Sequence, residues 1–360
     1  MVSNKEKQVL SFNESPSAEE VCCALSFVSP SCDRDFWARM AMAVKSELGS
    51  DGFSLWDDWS QAGDTYDKSA ARATWRSIKS SGAGKSVTIG TLFLEAMKFG
   101  WKPEQTQIND EEKQRRKLVS AERKLKRQKD EERELAEEAR WRDVYRQFFN
   151  QTWLDLIENL GPSQYIADKQ IGFEGLGFPR VQFVMVTDSH DFLVWAVVGQ
   201  ENISQFFSDP KYKDRERYAI RYIKRGMLLV PMRDIDGVIY SAQIIYESGV
   251  KSFPRHAPKS GLFFVIGQLQ NSGYIACAEG YATGRSVYEA SGWPCVVGFD
   301  VYNLSAVAFK MNELFPNAKL VICGDDDVDN PKNPGRRLAT KLAHDLVCPV
   351  VFPNFRELIA

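Results

Sequence analysis

The chain has 360 residues, 44% of them hydrophobic and 26% charged, with 46 Lys+Arg against 48 Asp+Glu. This is too apolar for wholesale disorder and long enough for two or three domains, and no apolar run reaches the roughly 18–20 residues of a membrane span. A formal charge of -2 excludes a globally basic nucleic-acid coat, so nucleic-acid binding would have to come from local patches.

Residues 1–14 are polar and read as a flexible tail, and Met1-Val2-Ser3-Asn4-Lys5-Glu6-Lys7 has no apolar segment behind its charges, which argues for a cytoplasmic protein. From 15 to 103 the pattern is helical. Ser17-Ala18-Glu19-Glu20 has the spacing of a capping box, and Phe36, Trp37, Met40, Ala41 and Val44 form an apolar stripe. Trp56, Trp59 and Trp75 add aromatic mass to a small core, and 88–100 reads as another helix, closed by Gly100 with Pro103 beyond. Ser81-Gly82-Ala83-Gly84-Lys85-Ser86 imitates the end of a phosphate-binding loop. The glycine required five residues before Gly84 is Lys79, however, and 74–78 does not read as a strand, so this segment is taken as a turn.

Residues 110–146 mix both charge signs without Gly or Pro, basic in the first half and mostly acidic from Asp130 to Glu138. They read as a solvated helical spacer held by i,i+4 ion pairs, the alternative being a basic half that tracks phosphates. After 150 strands are expected at 181–186, 192–198, 227–232 and 238–246, with Asp234-Ile235-Asp236-Gly237 as a hairpin turn. Arg217, Arg221, Lys224 and Arg225 fall on one face if 217–225 is helical, either a phosphate-tracking stripe or plain surface charge. From 273 onward short apolar strands at 274–278, 294–298, 319–323 and 349–352 alternate with helices near 283–291, 304–314 and 335–346. That alternation predicts an α/β domain with a buried parallel sheet and helices on its faces.

The seven cysteines form no CxxC pair, and Cys277, Cys295, Cys323 and Cys348 sit in or beside the strand-like runs, so they read as reduced core residues with no structural zinc. Glu279 stands just past one strand and Gly324-Asp325-Asp326-Asp327 just past another, where open α/β sheets place their ligand crevice. Carboxylates gathered there repel one another unless a divalent cation neutralises them, and Mg²⁺ suits such hard oxygen donors. In an extended Asp-X-Asp, Asp325 and Asp327 point the same way, leaving Asp326 on the other face. Alternatively, 324–330 is only an acidic surface loop.

A strand-terminal Glu279-Gly280 followed one βαβ unit later by Asp325-X-Asp327 resembles the Toprim domain of topoisomerases, bacterial-type primases and some nucleases. Glu279-Gly280-Tyr281-Ala282-Thr283-Gly284 and Asn333-Pro334-Gly335-Arg336-Arg337-Leu338-Ala339 are similar to conjugative-plasmid primases and phage-satellite alpha primases. The stretch from Gly226 to Gly237, Lys251-Ser252-Phe253, Lys259-Ser260-Gly261 and Val265-Ile266-Gly267 resemble the subdomain that precedes Toprim in primases. Arg34-Asp35-Phe36-Trp37, Leu55-Trp56-Asp57-Asp58-Trp59-Ser60 and Thr88-Ile89-Gly90-Thr91-Leu92 resemble the type 2 primase C-terminal helical domain.

These resemblances imply an all-α domain at 15–103, a charged helical linker at 104–149, an α+β primase subdomain at 150–270 and an α/β Toprim domain at 271–360. They imply metal-dependent synthesis of short RNA primers on single-stranded DNA for a phage, plasmid or integrated element. Glu279, Asp325 and Asp327 would be catalytic and hold Mg²⁺ or Mn²⁺, while Arg225, Arg233, Lys251 and Lys259 would bind template and NTPs. Asp300 is a further candidate or a helix cap, and Asp329 a further candidate that would widen the metal site. No zinc ribbon precedes the core and no helicase motor follows it, so a replicative helicase acting in trans is the expected partner, with no membrane involved. A Toprim nuclease and a non-catalytic replication accessory that binds DNA or a helicase are the other two readings.

Overall fold

The computed structural model describes residues 16–78, 87–103, 110–326 and 333–353. The chain divides into two units, Met1–Ala136 and Glu137–Ala360. The proposed tail and the segment resembling a phosphate-binding loop lie outside the described residues.

In the first unit, helices α1 (Ala18–Ser26), α2 (Arg34–Leu48), α3 (Phe53–Gln61), α4 (Lys68–Ser77) and α5 (Ile89–Lys98) surround a tryptophan-rich core. The capping box at Ser17 forms as its spacing requires. The Ser17 hydroxyl accepts the Glu20 N–H at 3.1 Å, and the Glu20 carboxylate accepts the Ser17 N–H at 2.7 Å. Trp56 is fully buried, with the rings of Trp37 and Trp75 at 4.5 and 5.5 Å. Two of the indole N–H groups are satisfied: Trp37 donates to Ser60 Oγ and Trp59 to the Val28 carbonyl, both at 2.8 Å.

Helix α6 (Asp110–Leu156) follows. Its basic half is not a freely solvated spacer. Lys126 pairs with Asp51 at 2.8 Å, Arg123 donates to the Pro16 carbonyl at 3.1 Å, and Arg127 donates to the Ser46 carbonyl in the last turn of α2. Arg116 and Arg123 also approach Glu20 and Glu47, at 3.6 and 3.8 Å. These cations therefore meet acidic groups and carbonyls of their own unit, a helix C-terminus among them.

The second unit is α/β. It contains β1 (Ile157–Glu158), α7 (Gln164–Lys169), β2 (Phe178–Pro179), β3 (Phe183–Asp188), β4 (Leu193–Val198), α8 (Gln200–Ser208), β5 (Tyr218–Ile223), β6 (Leu228–Arg233), β7 (Ile239–Ile245) and β8 (Lys251–Ser252). These are followed by β9 (Phe264–Ile266), β10 (Tyr274–Ala278), α9 (Tyr281–Ser291), β11 (Cys295–Val297), α10 (Val301–Leu314), β12 (Lys319–Cys323), α11 (Pro334–Leu346) and β13 (Val350–Val351). The largest sheet has the order β13-β12-β10-β11-β9. Its four strands from 274 onward are parallel as expected, but β9 joins β11 antiparallel at the edge, so the sheet is mixed. Its two faces alternate along each strand. Ala276, Ala278, Val321 and Cys323 pack with Tyr281 of α9 and with Leu228, Val230 and Met232 of β6. Ile275, Cys277, Leu320 and Ile322 pack instead with Leu304, Val307 and Met311 of α10 and with Leu342 and Ala343 of α11.

Two three-stranded antiparallel sheets, β4-β3-β5 and β6-β7-β8, and the two-stranded antiparallel pair β1-β2 account for the remaining strands. At the turn between β6 and β7 the Asp234 carboxylate accepts from the N–H groups of Asp236 and Val238, and Gly237 takes φ +81°, as the Asp-X-Asp-Gly sequence predicts. The stretch read as a basic helical face is instead strand β5, paired antiparallel with β3 from Asp188↔Tyr218 to Phe183↔Ile223. Arg217 grips the buried Asp188 with Nε at 3.0 Å and Nη2 at 2.7 Å. Burial works to raise the Asp188 carboxyl, but the bonds from Arg217 and from the His190 and Asp191 N–H groups outweigh it and hold it below the usual range. Lys224 approaches Glu247 at 3.5 Å. The period of two won because β3 needed a partner on its second edge.

Between β11 and α10 the chain turns so tightly that a Cβ on Gly298 would lie 2.5 Å from the Leu304 Cα and 2.9 Å from its N. Backbone cannot move aside as a side-chain tip can, so Gly298→Ala is expected to destabilise the second unit by about 1–3 kcal/mol. Chemical denaturation of wild type and variant measures this, and equal midpoints would contradict such close packing.

Candidate active site

The parallel pairing of β10 with β12 runs from Tyr274↔Lys319 to Ala278↔Cys323, so Glu279 and Gly324 leave the sheet side by side. Asp325 is the next residue. Both carboxylates are half-buried. The chain turns straight from Glu279 into α9, whose N-cap, Gly280, has no side chain to cap the first turn. Thr283, in that turn, donates its hydroxyl to Asp325 Oδ1 at 3.1 Å and so ties the loop after β12 to the element after β10. The positive end of the α9 dipole thus meets two carboxylates, which favours anionic groups there. Tyr165 of α7 lies close as well: burial pushes its hydroxyl up, and the Asp325 charge adds to the effect.

Asp326 does different work. The Arg336 guanidinium holds it in a fork, Nε to Oδ1 at 3.0 Å and Nη2 to Oδ2 at 2.7 Å, and Asn333 Nδ2 donates to Oδ1 at 2.6 Å. Arg336 in turn lies over the Phe352 ring, 4.2 Å from its centre. The middle residue of the acidic triplet therefore fastens the loop to the start of α11, consistent with the opposite orientation expected from the alternation. Asp327 and Asp329 lie outside the described residues.

Asp300 is a helix cap. Its Oδ1 accepts from the N–H groups of Tyr302 and Asn303 at 3.0 and 2.9 Å, and its Oδ2 pairs with Lys259. Asp300 and Lys259 thus neutralise each other at the end of β11, and the Lys259 ammonium also sits 5.0 Å from the centre of the Phe253 ring. Lys251 reaches the N-cap of α9, its Nζ 3.5 Å from where a Cβ on Gly280 would stand, one residue beyond Glu279. Arg233 donates to the Gly237 carbonyl at 2.7 Å across the hairpin turn, and burial lowers its pKa. Arg225 is exposed in the connection leading into β6, the strand whose far end carries Arg233.

Thr283, Tyr165 and the Asp326–Arg336 lock were not singled out by sequence pattern. Thr283 stands four residues after Glu279, one helical turn, a spacing that marks it once α9 is known to start at Tyr281. Tyr165 carries no such signal, since it comes from a helix more than a hundred residues away.

Cys277, Cys295 and Cys323 are free and buried, and burial pushes the Cys323 thiol up to about 11, so these sulfurs behave as apolar core atoms. Among the described residues no group of three or more His, Cys, Asp and Glu is arranged to hold a metal. The two carboxylates at the sheet edge are nonetheless hard oxygen donors drawn to one place, the chemistry that a divalent cation such as Mg²⁺ or Mn²⁺ requires.

Residues 22–96, within the helical unit, match the family model described as primase C terminal 2 (PriCT-2). Two relatives are similar to this chain over a limited stretch. One, a DNA primase TraC from Escherichia coli, is 38% identical over 133 residues, which are 35% of this chain and 12% of that protein. A second DNA primase TraC from Escherichia coli is 35% identical over 133 residues, 35% of this chain and 9% of that protein. The matched stretch is thus a small part of either relative. Among solved structures, the DnaG primase catalytic domain bound to ssDNA covers 61% of this chain and 76% of its own, with 13% identity and a TM-score of 0.37. The primase fragment of the bacteriophage T7 primase-helicase protein covers 36% of this chain and 54% of its own, with 17% identity and a TM-score of 0.28.

Because Arg336 first and Asn333 second hold the Asp326 carboxyl at about 2, below its ordinary 3.8, their bonds stabilise the fold fully above about pH 4 and are lost as pH falls through about 2. Wild type should therefore unfold at higher denaturant than Asp326→Asn at neutral pH, and the gap should close in acid. A gap independent of pH would show that the carboxylate charge is not what locks the loop.

Proposed function

We propose that this chain is a DNA primase of a plasmid, phage or integrated element, making short RNA primers on single-stranded DNA. In this reading 271–360 is a Toprim domain, 150–270 its primase subdomain, 104–149 a charged linker and 15–103 the helical accessory domain. The observation that carries it is the meeting of Glu279 and Asp325 at adjacent parallel strand ends, under the N-terminus of α9 and beside Lys251. The likeness to DNA primase TraC supports the same reading.

Glu279, Asp325 and Asp327 would hold Mg²⁺ or Mn²⁺. When bound, the cation would neutralise triphosphate charge and stabilise the charge that develops as a 3′-hydroxyl attacks an α-phosphate and the α–β phosphoanhydride bond breaks to release pyrophosphate. This chain's own residues do the rest. Glu279 orients the attacking hydroxyl and takes up its proton, while Thr283 keeps Asp325 facing the reaction. Lys251 and the open first turn of α9 draw the triphosphate into place. Arg225, Arg233 and Lys259 line the approach of template and nucleotide, and Asp329 extends the acidic loop. Asp300 serves the fold as the α10 cap. A replicative helicase supplies translocation in trans, and the protein works in the cytoplasm without a membrane.

Incubation with single-stranded DNA, labelled NTPs and Mg²⁺ or Mn²⁺ tests the proposal. Wild type should make short labelled RNA, and Glu279→Gln and Asp325→Asn should each lower the yield by roughly a hundredfold or more. RNA made equally well by the variants would remove the carboxylates from the chemistry. Metal-dependent loss of the template without RNA would make the site a nuclease.

A further inference from the structure

Resting on the primase reading, we propose that Tyr302 is a stacking platform for a base of the single-stranded template as it approaches the carboxylates. Tyr302 is 78% exposed, although it stands in the first turn of a helix whose other face is core. Its place in the fold is fixed by several contacts. Asp300 accepts its N–H, Gly298 packs against Leu304, and Phe299 adopts φ +72°, an uncommon conformation for an aromatic residue. Strained backbone of this kind persists where its surroundings over-determine it. Here it starts α10 immediately after a short strand and leaves a tyrosine ring open to water.

The neighbourhood suits a nucleic-acid strand. β11 is the strand next to β10 in the sheet, about 4.8 Å away, with Val297 opposite Ala278, so the chain leaves β11 at Gly298 alongside Glu279 and reaches Tyr302 four residues later, in the first turn of α10. The Lys259–Asp300 pair removes the negative charge that would repel a phosphate there, and Phe253 and Phe299 meet edge to face at 6.3 Å beside it. Lys251 adds a cation on the side of the carboxylates. An open aromatic ring flanked by neutralised or positive groups recognises a base by its π-face with little regard to sequence, which is how single strands are held.

Binding of fluorescein-labelled oligo-dT to the full chain, followed by anisotropy without NTPs or metal, reads this directly. Tyr302→Ala should weaken binding about five- to a hundredfold, whereas Tyr302→Phe and Tyr302→Trp should keep it. Phe309→Ala, on an exposed face of the same helix, should bind as wild type. Unchanged affinity in Tyr302→Ala, or equal losses in Tyr302→Ala and Tyr302→Phe, would overturn the platform while leaving the primase reading in place. Unchanged DNA affinity with weakened NTP binding would assign the ring to the nucleotide and overturn it too. If wild type itself fails to bind oligo-dT, the primase reading falls along with the platform.

Discussion

Two short apolar strands, β10 and β12, pair in parallel register across five residues, and the chain leaves both on an acidic residue or one position before it. Parallel pairing buries the strands on both faces, so neither can slip without driving apolar side chains into water and polar ones into the core. Ala276, Ala278, Val321 and Cys323 on one face, and Ile275, Cys277, Leu320 and Ile322 on the other, set that cost. The register makes Glu279 and Asp325 neighbours even though both are anions. Their repulsion is set against the core, the Thr283 hydroxyl and the positive end of α9.

The acidic groups near this edge divide by partner. Asp326 is gripped by Arg336 and Asn333, and Asp300 by backbone N–H groups and Lys259, so both serve the fold. Glu279 and Asp325 stand at the ends of β10 and β12, half-buried, with Asp325 tied to Thr283 of α9. Asp326 turns toward the start of α11 and Asp300 starts α10, which leaves two hard-donor carboxylates next to the α9 N-terminus, where Lys251 reaches Gly280.

Much of this was legible in the residues. Four short apolar runs separated by helical stretches predicted the sheet that carries the site, and strand β12 was read with its observed bounds because Lys319 and Gly324 mark both of its ends. The capping box at Ser17 and the Asp-Gly hairpin turn were readable because each depends on a few adjacent residues. What was not legible depends on distant partners. Tyr218-Ala219-Ile220-Arg221-Tyr222-Ile223 allowed a helical reading because the edge that β3 offers it is distant in sequence, and Arg217 allowed both a phosphate-contact and a surface-charge reading because Asp188, its buried partner, lies 29 residues away. The basic half of α6 looked solvated because Asp51, Glu47 and the Ser46 carbonyl are far away in sequence. Asp300 carried both a catalytic and a capping reading, and only the helix start at Val301 separates them.

Cation binding is the most direct test that Glu279 and Asp325 form one hard-donor site. Titration of Mn²⁺ into the full chain, followed by its electron paramagnetic resonance signal, compares wild type with Glu279→Gln, Asp325→Asn and the capping variant Asp300→Asn. The predicted result is Mn²⁺ bound by wild type and by Asp300→Asn and released by either of the other two. Retention of Mn²⁺ by both Glu279→Gln and Asp325→Asn would contradict the site.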